Sequence, residues 1–452
     1  MIEKIVNEIK KYNNILILGF GREGKSTYHF IRKYLGNKVL TIADRNKELL
    51  EYNKELLKDQ NINFILGDHN LDYLDDFDLI IKSPGVNFKY IDYTKIRDKI
   101  TSQIDLFLRF SEVHTIGVTG TKGKSTTTTL LYHILKESGQ NVVLAGNIGI
   151  PAFDILEEIG PDTSIVCELS CHQLEYIHVS PHMAVLLNIH EEHLDHYGTM
   201  EKYVHSKQQI YFHQTPDDLL FCGIDVLPAE GTCLSQIYTV SDTSVQADIR
   251  LSGTCIHYGQ HSYQIPADDI HLLGHHNHLD IAFVYAVCHV LNLSDRDFDQ
   301  GLRSYEPLPH RLHFAGIRDG VRYYDDSIST ICDTTIQALK SVPSVGSVLI
   351  GGMDRGIDYG DLIRFLSEDQ VPHIILMEAT GKRILDEIHR DYPDFRHPER
   401  LHPVKDLKEA VACAREVTPK GSACILSPAA ASYGIFKNFE ERGDRFIQYV
   451  FS

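Results

Sequence analysis

The sequence has no long apolar stretch, and this absence excludes a protein anchored by membrane-spanning helices. Hydrophobic residues make up 43% and charged residues 23% of the 452 residues, the balance of a globular protein. No run approaches the roughly 20 apolar residues that a transmembrane helix needs. The N-terminal sequence MIEKIVNE mixes charged and apolar residues, so the apolar core of a secretory signal is also missing. We therefore expect a cytoplasmic protein without a membrane span.

Closely spaced cysteine pairs are absent as well. The nine cysteines are an odd number, and no two of them form a Cys-x-x-Cys pair. This pattern fits free thiols in a reducing compartment and indicates neither a disulfide framework nor a thiolate zinc site.

Basic residues are too few for a nucleic-acid-binding surface. The chain has 44 Lys and Arg against 62 Asp and Glu, and its net charge of −18 would repel a polyphosphate backbone. We expect small-molecule substrates, no nucleic acid and a monomer. A small anion can still bind, because helix N-termini and local cations act at short range.

Three successive regions alternate short β-branched runs with helical patterns, which predicts parallel α/β architecture. The chain length favours about three domains. We predict a Rossmann-like domain over residues 1–103, a central P-loop-type domain with a parallel sheet over 104–307 and a Rossmann-like α/β domain over 308–452. The expected strands are 14–18, 38–43, 78–81, 114–119, 164–169, 183–189, 347–352, 373–377 and 422–427. Helices are expected at 24–34, 126–135 and 274–291, and a peripheral antiparallel patch between 217 and 270.

Two glycine loops compete for a nucleotide. The sequence GFGREGKS (19–26) satisfies both the G-x-x-x-x-G-K-S and the G-x-G-x-x-G patterns. The sequence GVTGTKGKST (117–126) misses the strict spacing because valine stands at 118. It nevertheless has glycines that let backbone amides face phosphate, a lysine for terminal phosphates and hydroxyls for magnesium.

The polar residues that follow each loop decide between them. Behind the second loop stand Asn147, Glu168, His193 and Lys207, whereas the first loop has only Asp44 at the end of the next strand. We assign the first loop to the nucleotide of UDP and the second to ATP. A tight turn without a ligand remains the alternative at the first loop.

Acidic and histidine residues near the second loop are candidate metal ligands. Glu168 ends a predicted strand, where a carboxylate can reach a metal held by a phosphate loop, or can instead cap the next helix. The cluster HEEHLDH (190–196) has H-x-x-H spacing instead of H-E-x-x-H, so we exclude a zinc site. With 25 histidines in the chain, His193 needs independent support as a ligand.

Lys207 falls within an apolar helical stripe. Tyr203, Val204, Ile210 and Tyr211 share its face at three- and four-residue spacing. One interpretation is an aliphatic stem at the edge of the core. The other is a desolvated, neutral amine that reacts with carbon dioxide to give a metal-binding carbamate.

Together these motifs resemble the Mur ligase family, and the resemblance spans nearly the whole chain. The closing segment LSPAAASYGIFKNFEERGDR (426–445) is highly specific to that family. The resemblance implies three domains, which bind a UDP-muramoyl substrate, ATP and an amino acid. It implies ATP- and magnesium-dependent addition of glutamate to UDP-N-acetylmuramoyl-L-alanine through an acyl phosphate, in peptidoglycan synthesis.

The resemblance also implies roles for individual residues. ATP would contact Gly120, Thr121, Lys122, Gly123, Lys124, Ser125, Thr126, Asn147, Asn277, Arg311 and Asp326. The UDP substrate would contact Gly19, Gly21, Arg22, Asp44, Ser83, Pro84 and Gly85, and glutamate would contact Thr330, Arg355, Ser432 and Phe439. Magnesium would be bound by Ser125, Glu168, His193 and carbamylated Lys207, and the expected catalytic residues are Lys124, Glu168, His193 and Lys207.

Three departures from the family pattern affect this interpretation. Members that add D-glutamate commonly have NDSKATN where this chain has DDSISTI (325–331), so a lysine is replaced by Ile328. Asp280 and Lys122 stand where asparagines are usual. Ile328 lies beside the expected amino-acid pocket and leaves D- or L-glutamate open, while Arg355 can still pair with an acidic amino acid.

Two further functions compete with this one. A nucleotide-binding scaffold without ligase activity would not need Glu168, His193 and Lys207 beside one phosphate loop. A folylpolyglutamate-type ligase shares the fold and adds glutamate, but that family lacks a leading UDP-type domain.

Overall fold

A computed structural model describes residues 1–89, 91–148, 150–266, 270–368, 370–392, 395 and 397–452. They form three β-sheets of five, nine and six strands, with helices between the strands. The sheets lie within the predicted segments 1–103, 104–307 and 308–452. The predicted α/β class with mainly parallel sheets is confirmed.

By compactness the chain divides into two units. The first comprises residues 1–267 and 279–304, and the second comprises 268–278 and 305–452. The first unit thus contains both the five- and the nine-stranded sheets. The predicted boundaries at residues 103 and 307 stay predictions.

The N-terminal sheet is wholly parallel, with the order β3-β2-β1-β4-β5. Its strands are β1 (Ile15–Leu18), β2 (Leu40–Asp44), β3 (Ile62–Leu66), β4 (Leu79–Lys82) and β5 (Ile100–Thr101). The helices are α1 (Ile2–Lys10), α2 (Arg22–Tyr34), α3 (Leu49–Tyr52) and α4 (Gln103–Phe110). All four residues of β1 are buried, as expected for a strand covered on both faces.

Glycines allow α2 to start close against β1. Gly19 has φ +87°, in the left-handed region that favours glycine. A Cβ atom on Gly24 would lie 2.1 Å from the carbonyl oxygen of Gly19. The first turn of α2 therefore packs directly on the backbone of the first glycine loop.

The nine-stranded sheet has the order β14-β13-β12-β11-β10-β9-β6-β8-β7. Its strands are β6 (Thr115–Thr119), β7 (Val142–Gly146), β8 (Ser164–Glu168), β9 (Met183–Leu186), β10 (Leu219–Gly223), β11 (Gln236–Ser241), β12 (Ile249–Ser252), β13 (Cys255–Tyr258) and β14 (His261–Gln264). Its helices are α5 (Lys124–Glu137), α6 (Cys171–Leu174), α7 (Leu194–Tyr197), α8 (Met200–Phe212), α9 (His275–Val290) and α10 (Asp295–Ser304).

The predicted antiparallel patch between 217 and 270 is wrong for its first half. β10 pairs in parallel with β9, and β11 pairs in parallel with β10, so both strands continue the main sheet. The reason is the buried run Leu220, Phe221 and Cys222, which needs cover on both faces. Only the pairs β12–β13 and β13–β14 are antiparallel.

The C-terminal sheet has the order β15-β16-β20-β17-β18-β19, and only the pair β15–β16 is antiparallel. Its strands are β15 (His313–Arg318), β16 (Val321–Asp325), β17 (Val345–Gly351), β18 (His373–Met377), β19 (Leu401–Val404) and β20 (Ala423–Leu426). Its helices are α11 (Cys332–Ser341), α12 (Gly360–Ser367), α13 (Glu378–Asp391), α14 (Leu407–Val417) and α15 (Phe439–Phe451).

A buried ion pair links the C-terminal sheet to the segment before it. Nδ1 of His310 lies 2.6 Å from Oδ2 of Asp325, and the Asp325 side chain is completely buried. Gly443 of α15 packs on this pair, because a Cβ there would lie 2.1 Å from the His310 ring. The hydrogen bond to Asp325 raises the pKa of His310 despite its burial, and the charges of Asp325, Asp444 and Glu440 act in the same direction.

None of the helices within the described ranges combines the length and apolar character needed to cross a bilayer.

We predict that Gly24→Ala lowers the free energy of unfolding by about 1–3 kcal/mol, because the added methyl group collides with backbone. The measurement is thermal or urea unfolding of the full chain. Gly21→Ala is the matched control, because no atom lies within 4 Å of its built Cβ. Equal stability of the two variants would contradict the tight packing of α2 on β1.

We predict that Asp325→Asn removes a pH-dependent contribution to the stability of the C-terminal unit. The folded state raises the pKa of His310, so the pair stabilises fully below about pH 6.5 and the stabilisation is lost as pH rises through the raised pKa. The measurement is hydrogen exchange of the α15 amides at about pH 6 and pH 8.5, corrected for intrinsic exchange. The difference in protection between the two pH values should be smaller in Asp325→Asn than in the unsubstituted protein. Asp444→Asn, with its side chain 75% exposed, should change little. An unchanged pH dependence in Asp325→Asn would show that the pair of His310 and Asp325 is not its source.

Candidate active site

The second glycine loop joins β6 to α5. Gly123 caps the helix with φ +82°, and a Cβ there would lie 2.4 Å from Oδ1 of Asp280. Only glycine fits this backbone conformation beside the buried Asp280 carboxylate. α5 begins at Lys124, so its free N-terminal amides lie at the end of the loop.

Two lysine ammonium groups converge on one carbonyl oxygen of this loop. Nζ of Lys207 donates to the Gly120 oxygen at 2.7 Å, and Nζ of Lys124 donates to the same oxygen at 3.0 Å. Lys124 also donates to the Thr121 oxygen at 2.9 Å. The predicted proximity of Lys207 to the loop is thus seen in the structure.

Lys207 is 1% exposed, although it carries an ammonium group. Its Nζ lies 5.0 Å from the centre of the Tyr203 ring. Burial, together with the charge of Lys124, lowers the pKa of Lys207 to about 8. About a tenth of this amine is therefore neutral near pH 7, far more than for an exposed lysine.

Two loop amides are already bonded to protein. The amides of Thr121 and Lys122 donate to Oδ1 of Asn188 at 3.1 Å and 2.9 Å. These two amides therefore have protein partners, and the contact of Thr121 and Lys122 with ATP stays a prediction. Asn188, near the end of the predicted strand 183–189, shapes the loop. Its amide side chain is the sequence feature that could have indicated this role.

Glu168 and Asn147 form a pair at the ends of β8 and β7. The Asn147 side chain donates from Nδ2 to Oε1 of Glu168 at 2.6 Å, and the Asn147 amide donates to the Glu168 carbonyl at 2.8 Å. Glu168 is 1% exposed, and its Oε2 has no hydrogen-bond partner among the described residues. The alternative role as a helix cap is excluded, because Ser170 caps α6 in a capping box with Gln173.

His193 precedes α7 in a left-handed conformation with φ 57°. Its ring lies 5.0 Å from that of His172 and 6.0 Å from that of Tyr203. Burial lowers its pKa, and the charges of Lys207 and Lys124 add to this effect. A neutral imidazole is the form that binds a metal. Within the described ranges, no group of three or more His, Cys, Asp or Glu side chains is arranged to hold a metal ion.

The first glycine loop borders a separate cavity of about 500 Å³. All seven residues predicted to contact UDP line it, namely Gly19, Gly21, Arg22, Asp44, Ser83, Pro84 and Gly85. The sequence did not reveal the other lining residues, which lie beside the predicted ones or in a separate loop: Glu23, Arg45, Asn70, Leu71, Val86 and Asn87.

The first loop lacks a hydroxyl for magnesium despite its strict P-loop pattern. Ser26 is 4% exposed, donates to Oδ1 of Asp154 at 2.6 Å and accepts from Gln103 at 3.0 Å. Asp44 accepts the Phe20 amide at 2.7 Å and thereby fixes the loop. This geometry favours the second loop as the triphosphate site.

In the second unit, residues that we predict to bind the substrate glutamate lie on segments that contact one another. Nη2 of Arg355 donates to the Thr330 carbonyl at 2.7 Å. The Met353 amide donates to the Ala431 carbonyl at 2.9 Å, which places the segment of Arg355 beside that of Ser432. The ring of Phe439 packs 6.2 Å from that of His310.

Three predicted ATP contacts also belong to the second unit. Asn277 donates to the Leu273 carbonyl at 2.6 Å, and Nε of Arg311 is buried without a hydrogen-bond partner among the described residues. Asp326 is 4% exposed, accepts from Ser427 at 2.7 Å and from the Leu312 amide at 3.1 Å, and burial raises its pKa to about 7. Their contact with ATP stays a prediction.

Two family models match the chain. The Mur ligase MurD-like N-terminal domain matches residues 13–104, and the Mur ligase middle domain matches residues 118–288. Solved structures share the fold at low identity. MurC of Thermotoga maritima gives a TM-score of 0.59 at 18% identity, covering 96% of this chain and 98% of that one. MurF of Acinetobacter baumannii gives a TM-score of 0.61 at 16% identity, covering 96% of this chain and 90% of that one.

Curated relatives are similar over their whole length. A protein of Geobacillus kaustophilus named UDP-N-acetylmuramoylalanine--D-glutamate ligase is 34% identical, covering 97% of this chain and 98% of that protein. Proteins of the same name from Ligilactobacillus salivarius and Clostridium kluyveri are 32% and 31% identical, each with at least 97% of both chains covered. The chain belongs to the Mur ligase family.

Proposed function

We propose that this protein is an ATP-dependent ligase that joins glutamate to UDP-N-acetylmuramoyl-L-alanine in peptidoglycan synthesis. The observation that supports it most strongly is the convergence of Lys124 and Lys207 on the Gly120 carbonyl, beside a loop that starts a helix. The names of the full-length relatives point to the same reaction.

The N-terminal cavity and the two glycine loops support the following assignment of regions that bind UDP, ATP and glutamate. UDP occupies the cavity at residues 19–24 and 83–87. The triphosphate of ATP lies at the start of α5, where amides and Lys124 supply positive charge. Glutamate binds near Thr330, Arg355, Ser432 and Phe439, with Arg355 pairing a carboxylate. Asn277, Arg311 and Asp326 complete the ATP site, and the segments 1–103, 104–307 and 308–452 carry the three functions.

The chemistry has two steps. An oxygen of the alanyl carboxylate attacks the γ-phosphorus of ATP, and the bond to the ADP oxygen breaks. The amine of glutamate then attacks the acyl carbon, loses a proton and displaces phosphate. The first step brings two anions together, so the positive charge of Lys124 stabilises the transition state.

The residues present fit magnesium. Oε2 of Glu168 is buried and without a partner among the described residues, and a hard cation prefers such an oxygen. Ser125 and Glu168 would hold one magnesium ion, and His193 with carbamylated Lys207 would hold a second. When bound, magnesium offsets the negative charge of the triphosphate and the carboxylate.

Lys207 fits the role of a lysine that carbon dioxide converts to a carbamate. Its neutral amine can attack carbon dioxide, forming an N–C bond and releasing a proton, and the product carries two oxygens in place of the ammonium. Lys207 lies in a cationic environment with Lys124, which favours the anionic product.

We predict that Lys207→Ala lowers kcat at least about a hundredfold, since the metal loses a ligand group. Added bicarbonate or short carboxylates should partly restore activity by occupying the vacated volume. Lys202→Ala, at an exposed position of the same helix, is the matched control and should retain activity. An active alanine variant that is insensitive to bicarbonate would contradict the hypothesis that Lys207 is carbamylated.

D-glutamate is the first candidate for the added amino acid, because the full-length relatives are named D-glutamate ligases, and L-glutamate is the second. Ile328 stands where D-glutamate-adding relatives commonly have lysine, and its amide donates to the His310 carbonyl at 3.1 Å. An isoleucine cannot supply the cation, so the pocket differs from that of those relatives. Arg355 beside Thr330 still favours an acidic amino acid.

The deciding experiment is phosphate release from ATP with magnesium. We expect release only when UDP-N-acetylmuramoyl-L-alanine and an amino acid are both present. The amino-acid panel is D- and L-glutamate, D- and L-aspartate and lysine. Activity with only one glutamate enantiomer decides between the two candidates, and equal ATP hydrolysis without either substrate would refute the ligase and favour a nucleotide-binding scaffold.

A further inference from the structure

Glu23 is a carboxylic acid built into the first glycine loop. It is the second residue of α2 and lines the N-terminal cavity. Its Oε1 accepts a hydrogen bond from Nε2 of Gln173 at 2.7 Å. Its Oε2 is buried and has no hydrogen-bond partner among the described residues. One oxygen is thus satisfied by protein, while the other is left for a ligand.

The orientation of Gln173 is fixed by a second contact. Its Oε1 accepts the Ser170 amide at 2.9 Å, within the capping box of α6. Nε2 is therefore the atom that faces Glu23, and Oε1 of Glu23 must be an acceptor. Any proton on Glu23 lies on Oε2.

An ionised Glu23 is unfavourable once an anionic ligand is bound, because its Oε2 is buried without a donor among the described residues and would carry a like charge. Backbone amides at the start of α2 attract an anion, and the diphosphate of a nucleotide sits at such a position after a first βα turn. A second negative charge there would repel the ligand. A neutral acid instead donates a hydrogen bond to a phosphate oxygen.

We propose that Glu23 binds the UDP group as a neutral acid, donating from its Oε2 hydroxyl to a diphosphate oxygen. This inference rests on the proposed function, in which the cavity takes UDP. Glu23 thereby makes nucleotide affinity depend on pH, since loss of its proton removes a donor and adds a like charge.

The charged groups around Glu23 bear on its protonation. The hydrogen bond from Gln173 of α6, the charge of Arg22 on its own helix and the charge of Lys82 at the end of β4 all favour the ionised form. Burial is the largest influence, and it raises the pKa of Glu23 above the usual value for glutamate. Lys82 does not neutralise the acid fully, because it is itself 3% exposed and burial lowers its pKa to about 8.

The test is calorimetric binding of UDP-N-acetylglucosamine to the full chain at about pH 6 and pH 8.5. This probe has a diphosphate that does not titrate in that range. The unsubstituted protein should bind it about tenfold more weakly at the higher pH. Glu23→Gln keeps its carbonyl towards Gln173 and turns its N–H towards the cavity, so it should bind tightly at both pH values. Glu23→Ala should bind weakly at both.

Glu51→Gln removes an exposed acid in the same sheet region and should behave like the unsubstituted protein. Circular dichroism checks that the variants fold. Binding that is independent of pH in the unsubstituted protein, or a Glu23→Gln variant as weak as Glu23→Ala, would overturn the inference and leave the UDP site intact. Absence of binding in every variant at every pH would overturn the UDP site and the inference together.

Discussion

The carbonyl oxygen of Gly120 accepts hydrogen bonds from two lysines, and the central site depends on this contact. Lys207 arrives from α8 and Lys124 from α5, so one acceptor fixes two helices relative to the glycine loop. Two ammonium groups around one carbonyl leave an excess of positive charge in a buried place. Burial, together with that excess, lowers the pKa of Lys207, and the positive charge favours an anionic ligand such as a triphosphate.

Within the first unit, the N-terminal cavity connects to Asn147 and Glu168 through hydrogen bonds. Nη2 of Arg22, on the cavity wall, donates to the Asn147 carbonyl at 2.6 Å. Asn147 in turn bonds Glu168, whose other oxygen is the one that fits a metal. The start of α2 is therefore tied to the ends of β7 and β8 through Arg22, Asn147 and Glu168.

The second unit holds its pocket segments by a buried guanidinium group. Arg442 of α15 is completely buried, and it donates to the side chain and carbonyl of Ser327 and to the carbonyl of Ala430. Ser327 also donates to the Phe439 carbonyl at 2.8 Å. This network fixes the backbone at Ser327, immediately before Ile328, and ties it to the segments of Ala430 and Phe439.

The sequence by itself determined the α/β class and the positions of nine of the twenty strands that the described residues form, because burial periodicity is a local property, and its resemblance to the Mur ligases pointed to the seven residues around the N-terminal cavity. Helical spacing placed Lys207 in an apolar stripe but left open whether its amine was buried, and the structure shows that it is. Only the tertiary structure decided that β10 and β11 extend the main sheet in parallel, that Asn188 occupies two loop amides, and that Glu23 keeps a free oxygen. Each of these depends on partners brought from distant parts of the chain by strand order, which local patterns of residue type do not encode.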